Sequence, residues 1–195
     1  MNSRRKNGFT LLEIVIVLAI VGIMAGILVP TVRTYLGSAK TRRAEQDTKA
    51  LGEALLAFNK DTARFPIYAN GTLTSPSDTV FDVLITSDGD TPSGWSFSTS
   101  DTFENQLNEN KPSGTGGGNA YSESGEFAWR GPYMGPIRQD PWGNQYVCNA
   151  NKLLPNASNA VWVLSAGPNE TIETTFSQGR DAPTVDGDDI AYRIK

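Results

Sequence analysis

Two groups of residues carry chemistry that the rest of the chain must position. The first is a single carboxylate, Glu13, at the start of an apolar run that continues from Ile14 to Val29. A carboxylate near the end of a membrane-length helix costs about 2–3 kcal/mol or more, so such a group implies a partner. The second is a crowd of oxygen donors near the C-terminus: Asp186, Asp188 and Asp189, with Asn169 behind the Gly167-Pro168 turn. Carboxylate, amide and carbonyl oxygens are the hard donors that calcium takes, about six to eight of them at roughly 2.3–2.6 Å. Magnesium demands stricter octahedral geometry and keeps more water. A solvated acidic turn has the same composition.

Other chemistries lack their residues. There is no histidine, which removes the commonest acid–base group and the commonest transition-metal ligand. A lone Cys148 forms no disulfide within the chain and supports neither a classical zinc site nor a cysteine–histidine nucleophile. Gly116-Gly117-Gly118 stands in a polar, serine-rich stretch with no lysine after it, unlike a phosphate-binding loop. The 17 basic side chains face 21 acidic ones, so nucleic acid is not an expected partner. For hydrolysis, Glu123 and Glu126 or the late aspartates could pair, but nothing in the sequence places them in a cleft.

The element that must hold Glu13 runs from Phe9 to Val29. As a helix it would be roughly 30 Å long, the thickness of a bilayer's hydrocarbon core. The basic residues Arg4, Arg5 and Lys6 precede it and orient the N-terminus to the cytoplasm. A cleavable secretory signal fits poorly: the apolar run is too long, Glu13 interrupts it and no small-residue cleavage site follows. Gly22 and Gly26 have the spacing that lets membrane helices approach closely, although glycine is also frequent in such helices. With Pro30, they make 22–30 the weakest helical part. Beyond it, Val32, Tyr35, Leu36 and Ala39, then Ala50, Leu51, Ala54, Leu55 and Phe58, repeat at helical spacing and predict a helix to about Asn59.

The acidic cluster must be held by the C-terminal half. Strands are predicted at about 145–148, 160–165 and 190–194, with the tight turn of Asp140-Pro141-Trp142-Gly143 before the first. A short helix is predicted over 78–85, capped by Ser77 or Asp78. The polar stretch 86–126 reads as a long irregular loop whose aromatics Trp95, Phe97, Phe103 and Tyr121 anchor it to the remainder. The expected class is α+β: a long N-terminal helix, membrane-spanning in its first half, packed on a small antiparallel sheet. The expected segments are a leader (1–8), an apolar helix (9–29), its amphipathic continuation (30–59), a loop region with a short helix and the long insertion (60–128), and a sheet domain with the acidic loop (129–195).

The N-terminal residues Gly8-Phe9-Thr10-Leu11-Leu12-Glu13, after a basic leader and with Pro30 downstream, resemble the prepilin processing site of type IV pilins and type II secretion pseudopilins. The resemblance implies that a membrane prepilin peptidase cuts between Gly8 and Phe9 and methylates the new amine of Phe9. It also implies that 22–30 is often extended in assembled filaments. Loss of Arg4, Arg5 and Lys6 would leave 14 basic side chains against 21 acidic, a side-chain charge near −7. In a filament of buried apolar helices, Glu13 then needs a cation, and the Phe9 amine of a neighbouring copy is the available one; such a pair gives register more than net stability.

Asp140-Pro141-Trp142-Gly143-Asn144, Leu164-Ser165-Ala166-Gly167-Pro168-Asn169 and Asp188-Asp189-Ile190, with Phe65-Pro66, are similar to the major, G-type pseudopilin; stretch 86–126 is longer than in the compact family member. The resemblance implies a calcium ion held by the side chains of Asn169, Asp186 and Asp188 or Asp189, with carbonyls of Leu164 and Ile172. Asn169 stands where the family usually has aspartate. Also implied are an inner-membrane location with a periplasmic head, homopolymerisation, and contacts with minor pseudopilins, prepilin peptidase and an inner-membrane assembly platform. A surface type IV pilin for adhesion, motility or DNA uptake, or a membrane-anchored calcium-dependent binding domain using 86–126, are the alternatives; an enzyme is not expected. Glu13→Val is expected to permit leader cleavage and to impair assembly. Mass analysis of the N-terminus with filament counts by electron microscopy checks this, and normal filament yield would argue against the Glu13 pairing.

Overall fold

The computed structural model describes residues 10–72, 80–115 and 117–195. The chain divides into two compact units, Met1–Ala39 and Lys40–Lys195.

Helix α1 (Leu11–Thr62) contains Pro30 without a break. Proline removes the donor that would meet the Gly26 carbonyl, and the turn is supported on its C-terminal side by local bonds. Thr31 Oγ1 donates to the Ile27 carbonyl at 3.0 Å and Thr34 Oγ1 to that of Pro30 at 3.2 Å. The helix ends three residues beyond the predicted Asn59. Thr62 Oγ1 donates back to the Phe58 carbonyl at 2.8 Å, and Ala63 turns left-handed at φ 55°. Within the first unit α1 meets the length and composition of a membrane span, with a mean hydropathy of 2.9, and its side chains from Leu11 to Leu36 are exposed in the isolated chain.

In the second unit, strands β1 (Val83–Ile85), β2 (Ser100–Thr102), β3 (Val147–Cys148), β4 (Trp162–Ser165) and β5 (Ile190–Arg193) form one sheet in the order β2-β1-β3-β4-β5. Three pairs are antiparallel, as expected, but β1 and β2 run parallel. The sheet is therefore mixed. β2 is Ser-Asp-Thr, a polar edge strand with no apolar alternation to announce it. The helix predicted over 78–85 is not formed in its described part: 83–85 is β1. Side chains at Val83 and Leu84 belong to opposite faces and to separate apolar clusters, so pairing with β3 overrides the local helical reading. Ser77 and Asp78, its expected caps, lie outside the described residues.

Alternation along the strands sends Leu84, Cys148, Val161 and Val163 to the face covered by α1, where Leu51, Leu55 and Phe58 are fully buried. Val83, Val147, Trp162 and Leu164 point to the other face, covered by Trp95, Ile172 and Phe176. A sheet buried on both faces explains the continuous apolar run of β4. The helix comes close: a Cβ at Gly52 would stand 2.2 Å from the Tyr192 ring.

The stretch 86–126 is more ordered than its composition suggests. It contains β2 and helix α2 (Phe103–Leu107), capped by Thr102, whose hydroxyl accepts from Asn105 N at 3.1 Å. The buried Asp101 carboxylate accepts from the Gln106 amide at 2.6 Å, from Asn105 Nδ2 at 2.7 Å and from Ser113 N at 2.9 Å. Tyr121 in turn donates to Gln106 Oε1 and packs edge-on against Phe58, 4.9 Å between centroids. Trp95, Phe103 and Tyr121 are buried as expected of anchors.

Asp82 ties β1 to its surroundings by accepting from Ser98 N (2.9 Å), Thr99 N (3.1 Å) and Asn151 Nδ2 (3.1 Å). The Ser98 amide above all, with Thr99 and Asn151 and against the opposing effect of burial, holds this carboxyl below its usual range. A carboxyl depressed by folding stabilises the fold above its unfolded pKa and loses that contribution as the pH falls through the folded value. The stability gap between wild type and Asp82→Asn in urea titrations is thus expected near neutral pH and should close on acidification. A gap independent of pH would show that the charge is not what matters.

Candidate functional site

At the start of α1, Thr10 and Glu13 satisfy one another. Glu13 Oε2 accepts from Thr10 N at 2.8 Å and from Thr10 Oγ1 at 2.9 Å, while Glu13 N donates to Thr10 Oγ1 at 3.2 Å. This is a reciprocal capping box, and its Thr-x-x-Glu spacing was readable in the sequence. Glu13 therefore has a local role besides any role between copies: in the isolated chain it caps the first turn. Gly8 and Phe9 lie outside the described residues. Nothing lies within 4 Å of a Cβ built at Gly22 or Gly26, so no contact among the described residues requires those glycines.

The late acidic residues do gather. After β4, a 3-10 turn at Gly167–Asn169 brings the chain against 186–189: Asn169 N donates to Asp188 Oδ2 at 3.2 Å. Asp189 Oδ2 accepts from Glu173 N (3.0 Å) and Thr174 N (2.7 Å), and Asp186 N donates to Thr174 Oγ1 at 3.1 Å. Glu173, which the sequence reading passed over, belongs to this set: its Oε2 accepts from Asp188 N at 3.1 Å and crowds Gly187, which is left-handed at φ 65°. Asp188 Oδ1 and Asp189 Oδ1 are buried without a partner. Burial first, then the Glu173 charge, pushes the Asp189 carboxyl upward, against the two amides and the Thr174 hydroxyl. Among the described residues no group of three or more acidic side chains already converges as a metal cage.

The other expected ligands sit differently. Asn169 is exposed and its Oδ1 accepts from Thr171 N at 2.8 Å. Leu164 lies inside the sheet, in register with Val147 and Ala191. The Ile172 carbonyl lies against Gly94, where a Cβ would come within 2.1 Å. Ile172 N donates to the Ser93 carbonyl at 2.8 Å, and Trp95 Nε1 donates to that of Thr174 at 2.6 Å. Trp95 and Phe176 pack edge to face at 4.9 Å. The acidic loop thus has apolar anchors of its own, Ile172 and Phe176, where composition suggested little to hold it. Glu123 and Glu126, the carboxylates weighed for hydrolysis, are both exposed, and Glu123 accepts from Asn110 at 3.1 Å.

Comparison with known proteins adds to this geometry. The family model for the prokaryotic N-terminal methylation motif matches residues 3–29. The type II secretion system core protein G of Aeromonas hydrophila is 28% identical over 167 residues, covering 86% of each chain. That of Klebsiella pneumoniae is 26% identical over 176 residues, covering 90% of this chain and 94% of its own. The chain thus carries the N-terminal methylation motif and is similar, along most of its length, to type II secretion core proteins G. The type IV major pilin protein PilA of Myxococcus xanthus is 38% identical, but over 66 residues, 34% of this chain and 30% of its own. No solved structure matches the chain.

In the second unit the Asp140–Asn144 motif has a structural job. The buried Asp140 carboxylate accepts from Trp142 N (2.9 Å) and Asn144 N (2.8 Å), and its second oxygen takes the Ser165 hydroxyl. Ser165 Oγ accepts in turn from Gly167 N at 3.2 Å. One carboxylate therefore closes the turn before β3 and fixes the start of the acidic loop after β4. Asp140→Ala would strand two amides and a hydroxyl. It is expected to destabilise the fold by roughly 2–4 kcal/mol in urea denaturation, since buried unsatisfied groups cost about 1–3 kcal/mol each and relax in part. Asp140→Asn, which keeps acceptors, should lose less.

Proposed function

We propose that the chain is the main structural subunit of a type II secretion pseudopilus. It is held in the bacterial inner membrane by the first half of α1, with its C-terminal unit in the periplasm. A prepilin peptidase cuts between Gly8 and Phe9, and the processed chain polymerises with copies of itself, in company with minor pseudopilins and an inner-membrane assembly platform. The observation that carries this reading is the match along most of both chains to secretion core proteins G; the match to a type IV pilin spans a third of the chain. The helix supports it: its membrane-length apolar surface is exposed among the described residues of the first unit, and both lipid and neighbouring copies can cover it. Assembly asks Glu13 to exchange its Thr10 cap for an amine in a drier place, and a buried charge without a partner is strongly unfavourable. Co-expression with a prepilin peptidase, then N-terminal mass analysis, is expected to show a chain beginning at methylated Phe9. A mature chain still carrying Met1 beside an active peptidase would reduce the protein to a membrane tether.

The acidic loop is proposed to hold calcium. Two orphaned carboxylate oxygens, Asp188 Oδ1 and Asp189 Oδ1, and the upward push on Asp189 describe a site short of positive charge. Asp186, Asp188, Asp189 and Glu173 are the side chains to hold the ion, with Asn169 at the rim; hard oxygen donors favour calcium over softer metals. When bound, the ion would lock 167–189, adding to what Ile172 and Phe176 provide. A Thr31–Lys195 fragment is expected to melt higher with calcium in proportion to its saturation, with chelator reversing the shift. Unchanged melting together with no calorimetric heat at millimolar calcium would remove the site.

A further inference from the structure

The second unit carries two grooves, one towards each end of its part of α1. The first, about 590 Å³, lies at the C-terminal end of the helix, lined by Asn59, Thr62 and Ala63. Its walls are Phe65, Ile67, Phe127 and Leu153, and the cations Arg64 and Lys195 line it too. Phe127 is left 56% exposed. Arg64 lies over the Tyr121 ring at 5.3 Å, and Lys195 Nζ donates to the Leu154 carbonyl at 3.2 Å. Arg64 and Lys195 make this groove basic. Arg193 joins it through a 2.7 Å bond to the Arg180 carbonyl.

The second groove, about 460 Å³, is lined by Thr41 and Glu45 of α1 with Pro168, Val185, Asp188 and Asp189. It is acidic, with Glu173 bonded to Asp188 beside it, and Val185 is 42% exposed. The basic residues of this stretch of α1 are engaged elsewhere in two cases. Arg43 pairs with Asp47 at 3.4 Å and donates to the Gln139 carbonyl, and Lys40 lies over Trp142. A bound divalent cation would still leave this end negative, because Glu45, Glu173, Asp186, Asp188 and Asp189 bring five carboxylates to it. Thr41 and Thr62 belong to one helix, so at 1.5 Å per residue the two grooves are separated by about 30 Å along it.

Each end thus offers an uncovered apolar side chain and a charge opposite to that of the other. Copies anchored in one membrane share a direction, so the two patches cannot satisfy one another by antiparallel pairing. A contact between different patches of parallel copies is heterologous and repeats along an open array unless it closes. We propose that in the filament the Val185–Asp186 tip of one copy seats on the groove of Phe127, Arg64 and Lys195 of the next. This inference rests on the filament reading above and adds to the apolar helix a second contact that sets the order of the heads. It also answers the repulsion expected between closely packed copies of a processed chain that carries 14 basic side chains against 21 acidic, a side-chain charge near −7.

Cross-linking tests it in filaments assembled from the full-length chain in its native host. With Phe127→Cys and Val185→Cys in the same chain, a short bismaleimide should give a ladder of covalent multimers. Either single variant should lose the ladder, and the native Cys148 is fully buried and does not compete. Normal filaments without a ladder overturn the head contact and leave the pseudopilin reading standing. A wild-type chain that is processed yet never forms filaments overturns both. Where the cysteine pair itself impairs assembly, charge reversal decides. Lys195→Glu should lower filament yield and Glu45→Lys in the same chain should restore it, whereas independent losses overturn the contact.

Discussion

One helix presents two apolar surfaces: within the second unit one is buried, and within the first the other is exposed among the described residues. In the second unit, Leu51, Leu55 and Phe58 are sealed against Cys148, Val161 and Val163; burying a side chain of this size contributes about 1.5–3 kcal/mol. From Leu11 to Leu36 the same helix is exposed among the described residues. Water is a poor solvent for that surface, so the chain must enter a bilayer or join other copies. That imbalance is the physical feature on which the proposed filament role rests.

The second unit solves a different problem, which is to hold polar loops in place without a disulfide. It does so with buried carboxylates that accept several bonds each. Asp140 gathers the turn before β3 and the start of the acidic loop; Asp101 gathers the insertion; Asp189 gathers Glu173 and Thr174. Charge-assisted bonds to amides are stronger than neutral ones, which suits segments with few apolar residues to bury. Asp189 differs from the other two in keeping an orphaned oxygen, the observation on which the calcium proposal rests.

On the proposed filament reading, Glu13 would serve two states. Its bonds to Thr10 cap the first turn in the isolated chain, where a helix start would otherwise leave donors unmet. In a dry interface the same carboxylate requires a full positive charge. A group satisfied modestly in one state and demanding a partner in the other couples assembly to the arrival of that partner.

Periodicity and residue type alone determined the long helix, its membrane-length first half and the sheet strands near 147, 162 and 190. These are local signals: an apolar run of fixed length, a spacing of three and four, short β-branched runs bounded by turns. Tertiary structure decided what depends on partners distant in the sequence. Segment 83–85 became a strand because β3 and β2 flank it, and the polar 100–102 became its parallel neighbour. The insertion became ordered because Trp95 found Thr174 and Phe176. Glu173 joined the aspartates only because Gly187, lacking a Cβ, let its carboxylate approach. Local patterning reports how a segment can bend and which face it would bury; which surface arrives to cover that face is a property of the folded chain.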